Sequence, residues 1–263
     1  MLVLYRSSVH STKWFFLRRF WLRAITVASE PAQRRFIRAF NEYVFGVVHE
    51  ASDRISGRIR SIADYFQLRK RTVGAYSSFM CIELGLEIPD RVMEHPAIQS
   101  LLSLTADSII LTNVCISLAK YVIVANIRGQ DLYSYNNEQA AGHDGHNIIT
   151  VVMNEKGVDL DGAITWLEKY NDEVLTKFQT QRRMLPSWDP DMDRVVNEYV
   201  ERLGYWIRGH DQWSFESRRY FGTKGPEIQE GRLVTLLPKV MKPGVSPMMA
   251  PSMVQPSVSI LVN

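Results

Sequence analysis

The sequence predicts an all-α fold, one helical bundle without internal repeats. Three observations carry that reading. Apolar residues recur at i, i+3/i+4 spacing along most of the chain, helix start and stop signals punctuate it, and the alternating pattern of strands is scarce. At 263 residues, with 46% apolar and 22% charged residues, the chain is long enough for a sizeable core and is not a disordered or disulfide-stapled polypeptide.

From Met1 to Ser29 there is no Asp or Glu, and Arg6, Lys13, Arg18, Arg19 and Arg23 are interleaved with Trp14, Phe15, Phe16, Phe20 and Trp21. The segment has neither the roughly 20 apolar residues of a membrane span nor a secretory signal. An Arg-rich, acid-poor start is also the composition of a mitochondrial presequence. The i, i+3/i+4 spacing of Trp14, Leu17 and Trp21 favours instead a helix packed on a neighbour.

Ser29 and Pro31 read as the N-cap and early-turn Pro of a helix that places Phe36, Ala39, Phe40, Tyr43, Val44 and Val47 on one face. A second helix is expected from about Arg54 to Arg69, with Gly74 and Tyr76 to Ser78 punctuating the chain beyond it. Gly85 and Pro89 mark a turn, and Pro96 opens a helix whose apolar positions continue past Leu111. From Asn147 onward, helical segments are separated by Gly157, by the Pro186 to Pro190 loop and by Gly209. The domain is expected to span 1–240. Residues 241–263 carry four Pro and no charge after Lys242, which predicts a disordered tail.

Net charge is +3, from 31 basic and 28 acidic residues, which argues against a nucleic-acid partner; no integral-membrane segment is expected, and oligomeric state is left open. Cys81 and Cys115 as the only cysteines argue against a disulfide framework and a structural zinc site, and a reducing, cytoplasmic location is expected.

The most informative stretch is Asp131-Leu132-Tyr133-Ser134-Tyr135-Asn136-Asn137-Glu138-Gln139-Ala140, followed by Gly142, Asp144, Gly145, His146 and Asn147. On a helix Ser134 and Glu138 share a face, so a hydroxyl and a carboxylate can point at one hard cation. The stretch resembles the second metal motif of class I terpene synthases, most closely the fungal sesquiterpene type. That motif reads N-D-x-x-S-x-x-x-E, and here Gln130 occupies the Asn place.

Joining Asn113 to Asp131 restores the motif as LTNDLYSYNNEQA, so Val114 to Gln130 read as an insertion of seventeen residues. Its reverse translation can begin with GT, contain GCTAAC at Ala125-Asn126 and end in CAG, as a retained intron of 51 nucleotides would. The resemblance implies that Asn113, Ser134 and Glu138 bind Mg²⁺, with Gln130 as the substitute for Asn113 if the insertion is real.

Phe215-Glu216-Ser217-Arg218-Arg219-Tyr220 resembles the family's late Arg-Tyr pair, which implies that Arg219 and Tyr220 hold the substrate diphosphate. Bidentate guanidinium donors suit phosphate oxygens. Tyr65-x-x-x-Arg69-x-x-Thr72 resembles the diphosphate-sensing Arg segment, and Arg69 lies 44 residues before Asn113. His143, Asp144 and His146 read as turn residues, Asp189 to Asp193 as an N-cap, and Asn171-Asp172 as a metal-motif decoy with Leu175 and Gln179 in place of Ser and Glu.

The family's Asp-rich motif, expected well before the segment Ala28 to Phe36, has no counterpart, because no two Asp are adjacent in the chain. The expected architecture is therefore a class I terpenoid synthase-like bundle, incomplete at the N-terminus. The implied activity is Mg-assisted ionisation of a prenyl diphosphate, farnesyl diphosphate above others, with this chain weakly active or inactive. The alternative is a non-catalytic helical pseudo-enzyme or interaction protein.

Overall fold

The computed structural model describes residues 12–111, 135, 138–142, 144–231, 233–235 and 259–261. Local signals set most of the helix boundaries. α1 (Thr12–Ala24) leads through a short turn to Ser29, whose Oγ accepts the Ala32 N–H at 3.4 Å and caps α2 (Glu30–Ser56), with Pro31 in its first turn. Trp21 stacks on Phe36 with ring centroids 5.3 Å apart, tying α1 to α2. The side chains of Trp14 and Leu17 lie outside the described residues.

The helix expected over Arg54 to Arg69 is instead two segments. α2 runs on to Ser56, the chain turns left-handed at Gly57 (φ 67°), and Ser61 caps α3 (Ile62–Thr72) by accepting the Asp64 N–H. A left-handed C-cap followed by a new N-cap is a stronger stop than the apolar period that runs across it. Gly74, at φ 78°, breaks the chain again before the short helices α4 (Ala75–Ser78) and α5 (Met80–Glu83); α6 (Asp90–Met93) precedes α7 (Pro96–Leu111).

After the 3₁₀ turn Asp144–His146, Asn147 caps α8 (Ile148–Lys156), which ends at left-handed Gly157. Asp159 caps α9 (Leu160–Arg183), and Asp189 caps α10 (Pro190–Glu216) by accepting the Met192 N–H at 2.9 Å. α11 (Gly225–Gly231) closes the helical part.

α7 is the central element. It is apolar almost all round, as a helix enclosed by others must be. Ile98, Leu101, Ala106 and Ile109 pack with Val92, Met93, Tyr199, Val200 and Leu203, while Ile110 and Leu111 join Tyr65, Ile149, Val152, Leu167 and Val174 in a second cluster. Each such side chain contributes about 1.5–3 kcal/mol on burial. Arg35 ties α2 to α5 and α6 through Glu83, Asp90 and the Ile88 carbonyl between them.

Two departures from the expectation stand out. Of the face expected on α2, Phe36 is buried and Ala39, Phe40, Tyr43 and Val47 are half-buried, but Val44 is exposed, and Gly46, Glu50 and Asp53 are buried as well. The C-terminal end also contains strand: β1 (Leu233–Thr235) pairs antiparallel with β2 (Ser259–Leu261), with Val234 opposite Ile260, and the rest of the expected tail over 241–263 lies outside the described residues. β-Branched Val, Thr and Ile in both segments suit that pairing.

Candidate functional site

Four segments far apart in sequence meet around one cavity of about 700 Å³. α3 supplies Arg69 and Thr72, the break after it Val73 and Gly74, and α4 Ser77 and Ser78; Glu138, the Arg219-Tyr220 turn, and Phe40 and Tyr43 of α2 complete the lining. Arg69, Glu138, Arg219 and Tyr220, four residues singled out by motif, thus line the same space. Asn113, Gln130 and Ser134, the remaining candidate metal ligands, lie outside the described residues, as does His143.

Each described group is positioned by a local device. Glu138 stands on a helical stretch over 138–141, and its Oε2 accepts from Asn147 Nδ2 at 3.0 Å; the Asn147 Oδ1 meanwhile accepts the Ile149 N–H and caps α8. One amide therefore fixes a helix start and a carboxylate together. Arg219 and Tyr220 follow α10 in a turn entered through Arg218 at φ 61°, and the Arg219 guanidinium carbon lies 5.5 Å from the centre of the Tyr220 ring. Trp213 meets the same ring edge-on at 6.2 Å.

Behind Arg69 lies a carboxylate that the motifs did not indicate. Glu50 accepts the Thr72 hydroxyl, and its Oε1 stands 3.1 Å from His146 Nε2 and 3.9 Å from Arg69 Nη1. Burial alone would raise this carboxyl, but the His146 ring, the Thr72 hydroxyl and the Arg69 charge hold it below the usual carboxylate range. His146, read as a turn residue, both closes the 3₁₀ turn and contacts this group. The available signal was a Glu on the apolar stripe of an amphipathic helix, one turn after Gly46.

A second cavity, of about 800 Å³, adjoins the first and shares Val73, Gly74, Ser78, Arg219 and Tyr220 with it. Its other walls are mainly apolar and aromatic, with Arg202 among them. Ile109 comes from α7, and Trp206, His210 and Trp213 stand one turn apart on a single face of α10. Burial and the nearby Arg219 charge push the His210 ring down to about 4, so it is a neutral imidazole at ordinary pH. A polar, cationic compartment thus opens onto an aromatic one, and the combination fits an amphiphilic anion.

The metal question is one of donor chemistry. Among the described residues no cluster of three His, Cys, Asp or Glu could hold an ion. Glu138 offers a hard oxygen at the cavity wall, and hydroxyl and amide oxygens from 113, 130 or 134 would complete a set of the kind that suits a hard divalent cation. Asp189 and Asp193 are accounted for as cap and loop acceptors, Asp193 Oδ1 taking the Trp188 N–H at 2.8 Å, and Asn171 is buried within α9.

The chain is 44% identical over 230 residues to a Delta(6)-protoilludene synthase of Stereum hirsutum (strain FP-91666), covering 88% of this chain and 61% of that protein. It is 40% identical to the Delta(6)-protoilludene synthase of Armillaria gallica, over 88% and 62%. The chain therefore spans about three fifths of the length of the curated relatives it matches. In fold it resembles the linalool/nerolidol synthase of Streptomyces clavuligerus, with TM-score 0.65 at 20% identity, over 80% of this chain and 68% of that one. The model of terpene synthase family 2, C-terminal metal binding, matches residues 14–177, more than half of the sequence, and the chain belongs to that family.

Proposed function

We propose that this chain carries the diphosphate-gripping side of a class I sesquiterpene synthase site, whose substrate is a prenyl diphosphate and most specifically farnesyl diphosphate. The observation that supports it is the meeting of Arg69, Glu138, Arg219 and Tyr220 around one cavity that opens onto an aromatic one. In this reading Arg69 and Arg219 donate to the diphosphate oxygens, Tyr220 adds a phenolic hydroxyl, and Glu138 with Ser134 and Asn113, or Gln130 in its place, would hold Mg²⁺. A bound Mg²⁺ supplies charge neutralisation of the departing diphosphate. The rings of Trp206 and Trp213 lie where a hydrocarbon chain would extend, and their π faces suit a developing cation.

Activity of the chain as written is weak or absent in this reading, because it contains no adjacent Asp pair to hold further metal ions. Each 1.36 kcal/mol of lost transition-state stabilisation is about tenfold in rate. The two cysteines and the lack, among the described residues, of a helix long and apolar enough to cross a membrane are compatible with a cytoplasmic location.

Two assays test the reading. Calorimetry should show Mg²⁺-dependent binding of inorganic pyrophosphate that Arg219→Ala weakens at least tenfold; no binding by the wild type would overturn the assignment. With farnesyl diphosphate and Mg²⁺, pooled sesquiterpene should not exceed that of a Glu138→Ala control, and clear excess would refute the weak-activity claim.

A further inference from the structure

We infer that Glu50 is a positioning residue for the anion site, acting through Arg69. This rests on Arg69 being a diphosphate-binding group. α2 and α3 meet at unusually short range. A Cβ on Gly46 would stand 2.7 Å from Thr72 Cγ2 and 3.3 Å from Arg71 Cβ, so the missing side chain is what lets the two helices approach. One turn further along α2, this close approach brings Glu50 against the face of α3 that carries Arg69 and Thr72, three residues apart.

Glu50 is only 8% exposed, and an isolated carboxylate there would be costly to bury. It is compensated by the Thr72 hydroxyl, Arg69 Nη1 at 3.9 Å and Arg54 Nη1 at 3.7 Å, and His146 Nε2 stands 3.1 Å away. Two of these partners, Arg69 and Thr72, are walls of the cavity, whereas Glu50 is not. The carboxylate therefore stands behind the guanidinium and limits the directions it can take. The neighbouring Arg60–Asp53 pair one turn on shows the contrast, since neither of its members lines the cavity.

The contact with His146 extends the effect. His146 precedes Asn147, whose amide holds Glu138, so the 144–147 turn braces the carboxylate on one wall against the arginine on another. Glu50 thus orders the arginine directly and shares a support with the metal-facing carboxylate.

The test is a double-mutant cycle on the intact chain, read by calorimetric binding of inorganic pyrophosphate with Mg²⁺ and accompanied by thermal melts. Glu50→Gln keeps the shape and an acceptor for Thr72 but removes the charge facing Arg69, and should weaken binding about tenfold. In an Arg69→Gln background the same change should have almost no further effect, because the residue through which Glu50 acts is gone. Glu50→Asp should recover part of the loss, and it replaces Glu50→Gln in the cycle if that variant melts without cooperativity. Equal losses in both backgrounds would show a general packing role, and unchanged binding in the wild-type background would show no role; either overturns the inference. Absence of binding by the wild type would instead overturn the reading of Arg69 on which it rests, and the inference with it.

Discussion

Arg218 holds a left-handed backbone, φ 61°, immediately before the Arg219-Tyr220 pair. A long unbranched side chain tolerates that region at a cost, whereas a β-branched one tolerates it poorly. Arg218→Val should lower stability by about 1–2 kcal/mol in urea titration while Arg218→Gly stays near neutral. Asn147 is the other residue with a disproportionate role. Asn147→Ala removes a helix cap and a donor to Glu138 together and should cost about 1–3 kcal/mol. Asn147→Asp keeps the cap acceptor but sets a second carboxylate beside Glu138, so its loss of stability should diminish on adding Mg²⁺ if Glu138 binds metal. At this scale Arg69, Glu138, Arg219 and Tyr220, which line one cavity, could be singled out in the sequence because each sits in a recognisable string. Glu50 was not, since its burial depends on a glycine and on a helix that crosses there.

Between elements, two buried titratable groups act in opposite directions over the same pH range. At the α3–α7 contact, Lys70 Nζ lies 3.0 Å from Asp107 Oδ2, yet burial pushes the Asp107 carboxyl up to about 6. Its folded value lies above the unfolded one, so its contribution is present below about pH 4 and is lost as pH rises through 6. His210 on α10 behaves inversely: its folded value near 4 lies below the unfolded one, so stability is lost as pH falls from about 6.5 toward 4. Each amounts to about 3 kcal/mol at most. These two contributions should therefore nearly cancel between pH 4 and 6.5. Asp107→Asn should unmask a fall in stability toward acid, and His210→Gln a fall toward neutral, both measured by urea midpoints across pH. The caps at Ser29 and Asp189 were readable from Ser-x-Pro and Asp-Pro; the stop at Gly57 was missed because the apolar period continued across it.

For the molecule as a whole, α2 leaves Val44, Phe45, Val48 and Ile55 facing water, with Phe45 69% and Ile55 88% exposed. A stripe of that kind is expected to bind apolar dyes. 8-Anilinonaphthalene sulfonate fluorescence should be high for the wild type and fall clearly in Phe45→Lys, with the melt unchanged. Whether residues 114–130 interrupt the motif, as their sequence suggests, is a second whole-chain question. Along a continuous helix they would displace Asn113 by roughly 25 Å from its place beside Ser134. Sequencing of the mature transcript should find the Asn113 and Asp131 codons joined, and a protein lacking 114–130 should bind magnesium pyrophosphate more tightly. The bundle class was legible because helical period and caps are local. The aromatic compartment was not, because the spacing of Trp206, His210 and Trp213 marks a helix face without saying which space it borders.

Gly225 carries a last consequence. A Cβ there would fall 1.9 Å from the Phe215 carbonyl oxygen, so the start of α11 rests directly on the backbone of α10. The turn that bears Arg219 and Tyr220 is therefore anchored at both of its ends, a short arch between two fixed abutments. Such an arch has little travel of its own. If Arg219 and Tyr220 grip a diphosphate as proposed, they should do so by rotation of the two side chains, at low entropic cost, and not by a swinging loop.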